Sequence, residues 1–332
     1  MKLGYVNVSQ EPTHTDLTGA STTAGASEGQ AVSSSPAHTP APDLTRMTQP
    51  LGSAAGADAA PASRSQTFGA AWGDLVRGFQ QRELWLQLGW QDIKQRYRRS
   101  VLGPLWITIA TGVMALALGI LYSLLFQIPL ADFLPHVTVG LIIWGFIAGC
   151  IQEGSNIFID NEGLIKQLPS ALSVHVYRLV WRQTLFLAHN LVIWAVLMLI
   201  YPRPLGWDVL LAIPALGLLI ANGVWVSMLF GIIATRYRDI APLLESLVQL
   251  AFYVTPIVWM VDTLAMNPTM QRRAKIAELN PLFHYLEVIR APLIGKPVEA
   301  YHWWIVIGMT VAGLGLALLV MRQWRYRVSY WV

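Results

Sequence analysis

The sequence predicts an all-α, polytopic membrane protein with six transmembrane helices, and three observations carry that prediction. Of 332 residues, 54% are hydrophobic and only 13% charged, about half the charged share of an ordinary soluble domain. Six apolar segments beyond residue 100 each approach the roughly 20 residues that a helix needs to cross a bilayer. The basic residues gather in the connectors between these segments, which points to a membrane surface rather than to nucleic acid. The one cysteine, Cys150, excludes an internal disulfide framework and a multi-cysteine metal site, and reads as a small apolar residue in a helix.

Residues 1–70 form a separate compartment, with three basic against five acidic residues. From Ser21 to Ser65 the chain is mostly Ala, Ser, Thr, Gly and Pro. Such a stretch buries too little apolar surface to offset its ordering entropy, so it is expected to be a disordered tail ahead of a transmembrane domain over 71–332. Met1 to Asp16 has no continuous apolar run and does not read as a secretory signal. No internal repeat is visible.

Over 72–99 the chain turns charged and aromatic. Leu75, Phe79, Leu86, Trp90, Ile93 and Tyr97 recur at helical spacing, with Arg77, Arg82, Asp92, Lys94 and Arg96 around the rest of the surface. The pattern predicts an amphipathic helix lying in the membrane interface plane, because spanning segments begin directly after it.

The predicted spans are Leu105–Phe126, Leu134–Ile151, Gln183–Tyr201, Val209–Ala234, Ala241–Val261 and Trp303–Met321. One set of connectors then holds fourteen Lys and Arg residues. The other holds six: Arg203, Arg272, Arg273, Lys275, Arg290 and Lys296. Excess positive charge marks the inner side, so both termini are expected in the cytoplasm.

The connector Asp262–His302 contains a mixed-polarity stretch, Met270–Leu279, then the break Asn280-Pro281, then an apolar stretch, Leu282–Ile294, too short to span. Two helices dipping part-way into the bilayer fit this pattern, and so does an amphipathic hairpin lying flat on the outer surface.

No acidic residue lies well inside a predicted span, since Glu153, Glu245, Asp262 and Asp132 all fall at segment ends, and this argues against a proton- or ion-coupled transporter. His189, Asn190 and Asn222 are the most polar interior side chains, and His189 reads as a hydrogen-bonding residue between helices. The loops do not gather the His, Asp and Glu cluster that a membrane hydrolase or transferase would use. The GxxxxGK[ST] phosphate loop is absent, since Gly295-Lys296 continues with Pro297, so energy from ATP would have to come from another subunit. A partner could push on the inner connector Glu153–Pro169, where Asp160 or Asn161 could cap a short helix limited by Pro169.

Gln91-Asp92-Ile93-Lys94-Gln95-Arg96-Tyr97-Arg98-Arg99-Ser100-Val101-Leu102-Gly103-Pro104-Leu105-Trp106 resembles the opening signature of the membrane permease subunits of ABC exporters for O-antigen, capsule and teichoic acid polymers. Further matches follow in that family's order: Gly140-Leu141-Ile142-Ile143-Trp144, Asn161-Glu162-Gly163-Leu164-Ile165-Lys166, Arg236-Tyr237-Arg238-Asp239-Ile240, Thr255-Pro256-Ile257 and Asn280-Pro281-Leu282. The resemblance covers about residues 70 to 325. One departure is Gln167-Leu168-Pro169, where the family often has a Val-Tyr-Phe-Pro-like run.

The resemblance implies a permease in the bacterial inner membrane, without catalytic or metal residues of its own. It would form a homodimer, joined by two copies of a cytoplasmic ATPase that binds the ATP and Mg, and would move a lipid-linked polysaccharide. Coupling to the ATPase would fall to Asp160, Asn161, Glu162, Leu164 and Lys166, with Arg236, Arg238 and Asp239 in the second inner loop. Arg82, Trp90, Asp92, Lys94, Arg96 and Tyr97 would belong to the interface helix. Channel-lining candidates on the first and fifth spans are Trp106, Tyr122, Phe126, Phe252, Tyr253 and Trp259, whose rings suit the C–H face of a sugar. Asn280, Pro281, Leu282, Tyr285 and Arg290 would form an outer gate, with Arg290 facing the exit and the outer headgroups. Export of a lipid or drug-like substrate is the alternative within transport, and a membrane glycosyl or acyl transferase the alternative outside it.

Overall fold

The computed structural model describes residues 67–167, 170–261 and 275–332; residues 1–66 of the predicted tail lie outside the described residues. Among the described residues there are ten α-helices and no strand. In chain order they are α1 (Phe68–Gln80), α2 (Arg82–Arg96), α3 (Leu105–Phe126), α4 (Leu130–Asp160), α5 (Glu162–Gln167), α6 (Leu172–Ile200), α7 (Ala212–Arg236), α8 (Ile240–Val254), α9 (Pro281–Leu293) and α10 (Ala300–Trp331). Five are long and apolar enough to cross a bilayer: α3, α4, α6, α7 with the short turn before it, and α10. The chain is a multi-pass membrane protein.

The predicted fifth span differs. In place of a helix over 241–261, α8 has 15 residues, short of the roughly 20 that cross a bilayer. Pro256 offers no N–H and disfavours helical backbone at the residue before it. Thr255 accordingly turns extended, and the chain leaves the helix there. The second, third and sixth spans run longer than predicted because their polar ends stay helical. α4 continues through Gln152 and Glu153 to Asp160, where Ser155 Oγ and Asn156 Nδ2 donate to the Gln152 carbonyl of the same helix. The predicted interface helix over 72–99 is two helices, α1 and α2, joined at Gln81.

α4 is the helix on which the others pack: its most apolar window is 72% buried, against 11% for α3. α3 meets the bundle through Ala115, Gly119 and Ser123, one small residue per turn. Without a hydrophobic drive between helices in lipid, such residues let backbones approach and gain dispersion contact. Leu121, Leu124 and Leu125 of α3 and Leu247, Leu250 and Tyr253 of α8 are exposed.

A buried polar knot ties α7, α9 and α10. Asn222 Nδ2 donates to Thr310 Oγ1 at 2.7 Å and to the Leu218 carbonyl at 2.7 Å. Asn222 Oδ1 accepts from Tyr285 Oη at 2.7 Å and from Trp225 Nε1 at 2.5 Å. His189, in contrast, does not bridge helices: its Nδ1 lies 3.0 Å from the Leu185 carbonyl one turn back on α6.

Removing the hub of this knot should cost more than removing one spoke. Asn222→Val orphans the Tyr285 and Trp225 donors and should destabilise the protein by about 1–3 kcal/mol, whereas Tyr285→Phe deletes one bond worth about 0.6 kcal/mol in a membrane helix pair. Thermal unfolding of the two variants in detergent checks the order.

Candidate functional site

The charged ends of α2, α4 and α6 meet at one junction. α1 and α2 lie against α6 at two glycines, where side chains would collide. A Cβ on Gly78 would fall 2.0 Å from Ser173 Oγ, and one on Gly89 would fall 2.8 Å from Trp181 Cδ1 and 3.2 Å from the Arg178 carbonyl. The close approach brings Asp74 to the α6 amino end, where its Oδ1 accepts from Ser173 N at 3.1 Å and its carbonyl from Ser173 Oγ at 2.8 Å. Asp74 thereby satisfies a donor at the start of the helix and complements its dipole. Arg325 of α10 adds an ion pair to Asp74 at 3.3 Å.

Fourteen residues beyond Gly78, Asp92 receives two arginines from α6, one turn apart. Arg178 grips both of its oxygens, with Nε to Oδ2 at 2.8 Å and Nη2 paired to Oδ1. Arg182 Nη1 donates to Asp92 Oδ2 at 2.9 Å, and its Nη2 pairs with Glu153 of α4. Planar guanidinium forks suit such two-oxygen contacts. Arg178 also donates from Nη1 to Asn161 Oδ1 at 3.1 Å, which extends the network to the residue just before α5.

α5 is exposed and short. The expected capping of α5 by Asn161 is not what forms: Asn161 Nδ2 turns back to the Ile157 carbonyl at 2.7 Å, closing α4, while its Oδ1 faces Arg178. The reason is that a paired arginine lies in reach of that oxygen. Asp160 is the last residue of α4, and the expected limit at Pro169 lies outside the described residues. Glu162 and Lys166 pair at 2.6 Å across one turn. The hydrogen bond from Lys166, then its charge, hold the Glu162 carboxyl below the usual range, and Arg238 adds to this. The α5 segment and the Arg236–Asp239 loop are therefore electrostatic neighbours. Arg236 lies over the rings of Trp331 (4.9 Å) and Tyr237 (5.2 Å), and Arg238 Nη2 donates to the Trp331 carbonyl at 3.2 Å. Asp239 precedes α8 without a side-chain cap.

The structure sorts the remaining predicted residues. On α2, Arg82, Trp90, Lys94 and Arg96 are exposed, and Lys94 sits 5.8 Å over the Trp90 ring. Ile93 of the predicted stripe is buried, while Phe79 and Trp90 are exposed. Tyr122 stacks on Phe126 at 5.6 Å, and Phe252 meets Trp144 of α4 and Tyr253 edge-on at 5.8 and 5.4 Å. Trp106 and Tyr253 are exposed, and Trp259 Nε1 donates to the Tyr253 carbonyl at 3.4 Å. Leu164 lies on α5.

At the opposite end of α4, α9 is buried in protein rather than lying flat. Asn280 caps it, accepting from Leu282 N at 3.0 Å, and Asn280 Nδ2 donates to Thr255 Oγ1 at 2.9 Å. Pro281 takes the first helical position. Arg290 corrects the expectation that it faces the exit and the outer headgroups. Arg290 is 2% exposed, because the broken backbone at Pro256 presents a carbonyl to its Nη1 at 2.7 Å, and its Nη2 pairs with Glu287. Tyr285 is held by Asn222 inside the subunit. Arg272 and Arg273 lie outside the described residues. Sequence reasoning missed Glu153, Arg178 and Arg182 as a network, and His136 beside Arg290 at 3.0 Å. The signal for the arginines was their i, i+4 spacing on one helix face.

Residues 83–294 match the family of ABC-2 type transporters. Two O-antigen export system permease proteins RfbA from Klebsiella pneumoniae are 25% and 28% identical over 174 residues, 52% of this chain and 67% of each relative. An O-antigen export system permease protein RfbA from Myxococcus xanthus is 23% identical over 209 residues, 63% of this chain and 79% of the relative.

Asp92→Ala should lower stability by about 2–3 kcal/mol, less than the 3–5 of a fully buried pair because some solvent reaches the site. Arg178→Lys keeps the charge but loses the two-oxygen grip, and should fall between wild type and Asp92→Ala. Arg96→Ala, whose 3.7 Å contact to Glu153 is solvent-exposed, should change little. Thermal unfolding in detergent at two salt concentrations reads all three.

Proposed function

The chain belongs to the ABC-2 type transporter family, and from that membership we propose that it is the permease subunit of an ATP-driven exporter of lipid-linked, O-antigen-like polysaccharide. The single observation that carries the coupling mechanism is the continuous polar path from exposed α5, through Asn161, Arg178 and Asp92, to α2. A force applied to α5 by a partner reaches both α2 and α6 through directed bonds.

In this reading two copies of the chain pair in the bacterial inner membrane with both termini in the cytoplasm, as the excess of Lys and Arg on the junction side suggests. Two cytoplasmic ATPases bind the ATP and Mg and seat against α5, with Arg236, Arg238 and Asp239 alongside. The exposed faces of α3 and α8 offer the surface for the second copy and for the polymer path. Their rings, Trp106, Tyr122, Phe126, Phe252 and Tyr253, can stack weakly and repeatedly on sugar C–H faces, which lets a chain slide where a few strong sites would trap it. Asn280 and Pro281 start the α9 plug at the outer end. The chain itself makes and breaks no covalent bond in this mechanism.

Replacing residues 160–166 with a Gly/Ser linker should abolish surface polymer while the chain still inserts. Glu162→Ala or Lys166→Ala should weaken export without shifting thermal stability. Normal export from the linker variant, read by immunoblot of surface polysaccharide, would sink the coupling assignment. Deleting residues 1–65 should leave insertion and ATPase assembly intact, because their composition lacks the apolar content for a packed interface. Mass spectrometry of glycolipid co-purifying with the permease–ATPase complex tests the substrate class.

A further inference from the structure

A polar cavity of about 280 Å³ opens at the end of the molecule opposite the coupling junction. It lies among the start of α4, the segment after α8, the helix α9 and the start of α10, whereas the junction uses the far ends of α4 and α10. Its floor is formed by His136, Glu287, Arg290 and His302. Arg290, His136 and His302 are 2%, 5% and 7% exposed, so this is a built interior and not a surface patch. Glu278, Lys296, Glu299 and Tyr301 line the exposed mouth.

The floor is pre-arranged by bonds that fix each polar group. Arg290 Nη1 donates to the Pro256 carbonyl at 2.7 Å and approaches His136 Nε2 at 3.0 Å, while Nη2 pairs with Glu287. His302 Nδ1 shares a proton with His284 Nδ1 at 2.7 Å, and His284 Nε2 lies 2.8 Å from the Glu278 carbonyl. Ordering charged side chains at such depth is costly unless partners or a ligand use them.

Charge decides what the cavity takes. Three carboxylates against two cations disfavour a phosphate or an acidic sugar. A hydrocarbon chain would cover the exposed charges of Glu278, Lys296 and Glu299 at the mouth and offer them no hydrogen bond. Among the described residues no group of three His, Cys, Asp or Glu is arranged to hold a metal ion. The volume equals about nine waters, too small for a peptide segment. A neutral ligand with many hydroxyls fits: each hydroxyl donates to a carboxylate or imidazole and accepts from Arg or Lys. The exposed Tyr301 ring, 4.0 Å from the His302 ring, offers a flat apolar face beside them.

We propose that this cavity is a binding subsite for one neutral sugar unit, placed where an exported polymer leaves the α9 plug. The proposal rests on the export reading only for the source of that sugar.

The test uses the permease–ATPase complex in lipid nanodiscs free of glycosidic detergent. Saturation-transfer NMR is recorded with methyl glycosides of glucose, galactose, mannose, rhamnose and N-acetylglucosamine, and with glucuronate and inorganic phosphate as charged probes. At least one neutral glycoside should show transfer that falls fivefold or more in Val298→Trp, which fills the cavity from its lining, and in Tyr301→Ala, which removes the ring. Only complexes that elute assembled with the wild-type unfolding midpoint are compared. No transfer from any neutral glycoside, transfer unchanged in both variants, or stronger transfer to glucuronate or phosphate would overturn the subsite. Unchanged surface polymer in a strain lacking this chain would remove the export reading alone, and a cavity-sensitive sugar signal would survive it.

Discussion

The constraint on which the α9 end of the molecule depends is that a broken helix away from water must find partners for its freed backbone groups. The break is at Thr255-Pro256, and its partners come from α9. Asn280 reaches Thr255, and Arg290 reaches the Pro256 carbonyl. Once these bonds exist, α9 cannot lie on the surface, because its guanidinium is bound 2% exposed beneath it. Tyr285 and Trp194 add bonds to Asn222 of α7 and from α6 to the α9 carboxyl end. One short segment is thereby tied to α4, α6, α7 and the end of α8.

The other end is tied by charge instead of by backbone repair. Asp92 is shared by two arginines, one of which also pairs with Glu153, so α2, α4 and α6 move as one body there. Gly78 and Gly89 make this possible by bringing backbones within reach of short aspartate side chains. A longer partner such as Glu would not need them. The choice of Asp and Gly together fixes the distance between the amphipathic helices and α6.

The fold class and the order of the helices were legible because apolar runs of spanning length are a local property of the sequence. The end of α8 was also written locally, in Pro256, yet the apolar count across Thr255–Val261 outweighed it. The lengths of α4 and α6 were not legible. Gln152, Glu153, Arg178 and Arg182 look like loop residues until their partners, up to 90 residues away, turn them into helix residues. The α2 contact face was misjudged for a related reason: Gly89 carries the contact, and an apolar period gives no weight to glycine. Arg290 read as a surface charge because nothing near it in sequence shows that Pro256 will offer a carbonyl.

Away from these two fastened ends, α3 and α8 present long exposed faces. α3 fully buries three small residues, with Leu118 and Tyr122 packed beside them, and α8 fully buries Ala241, Leu244 and Val248, with Phe252 packed beside them. Small-residue and aliphatic contacts in lipid have no hydrophobic drive behind them, so they tolerate sliding in a way that the Asp92 and Arg290 centres do not. Yet both helices are joined in chain to the fixed ends: α3 follows α2, and α8 lies between the Arg236–Asp239 loop and the Pro256 break. In the proposed export mechanism, a displacement delivered to the charged junction would pass to these two helices, which carry exposed aromatic side chains. Under that proposal the exposed faces of α3 and α8 complement the tight polar ends, because a body fastened everywhere could not convert a push at one end into an opening along its length.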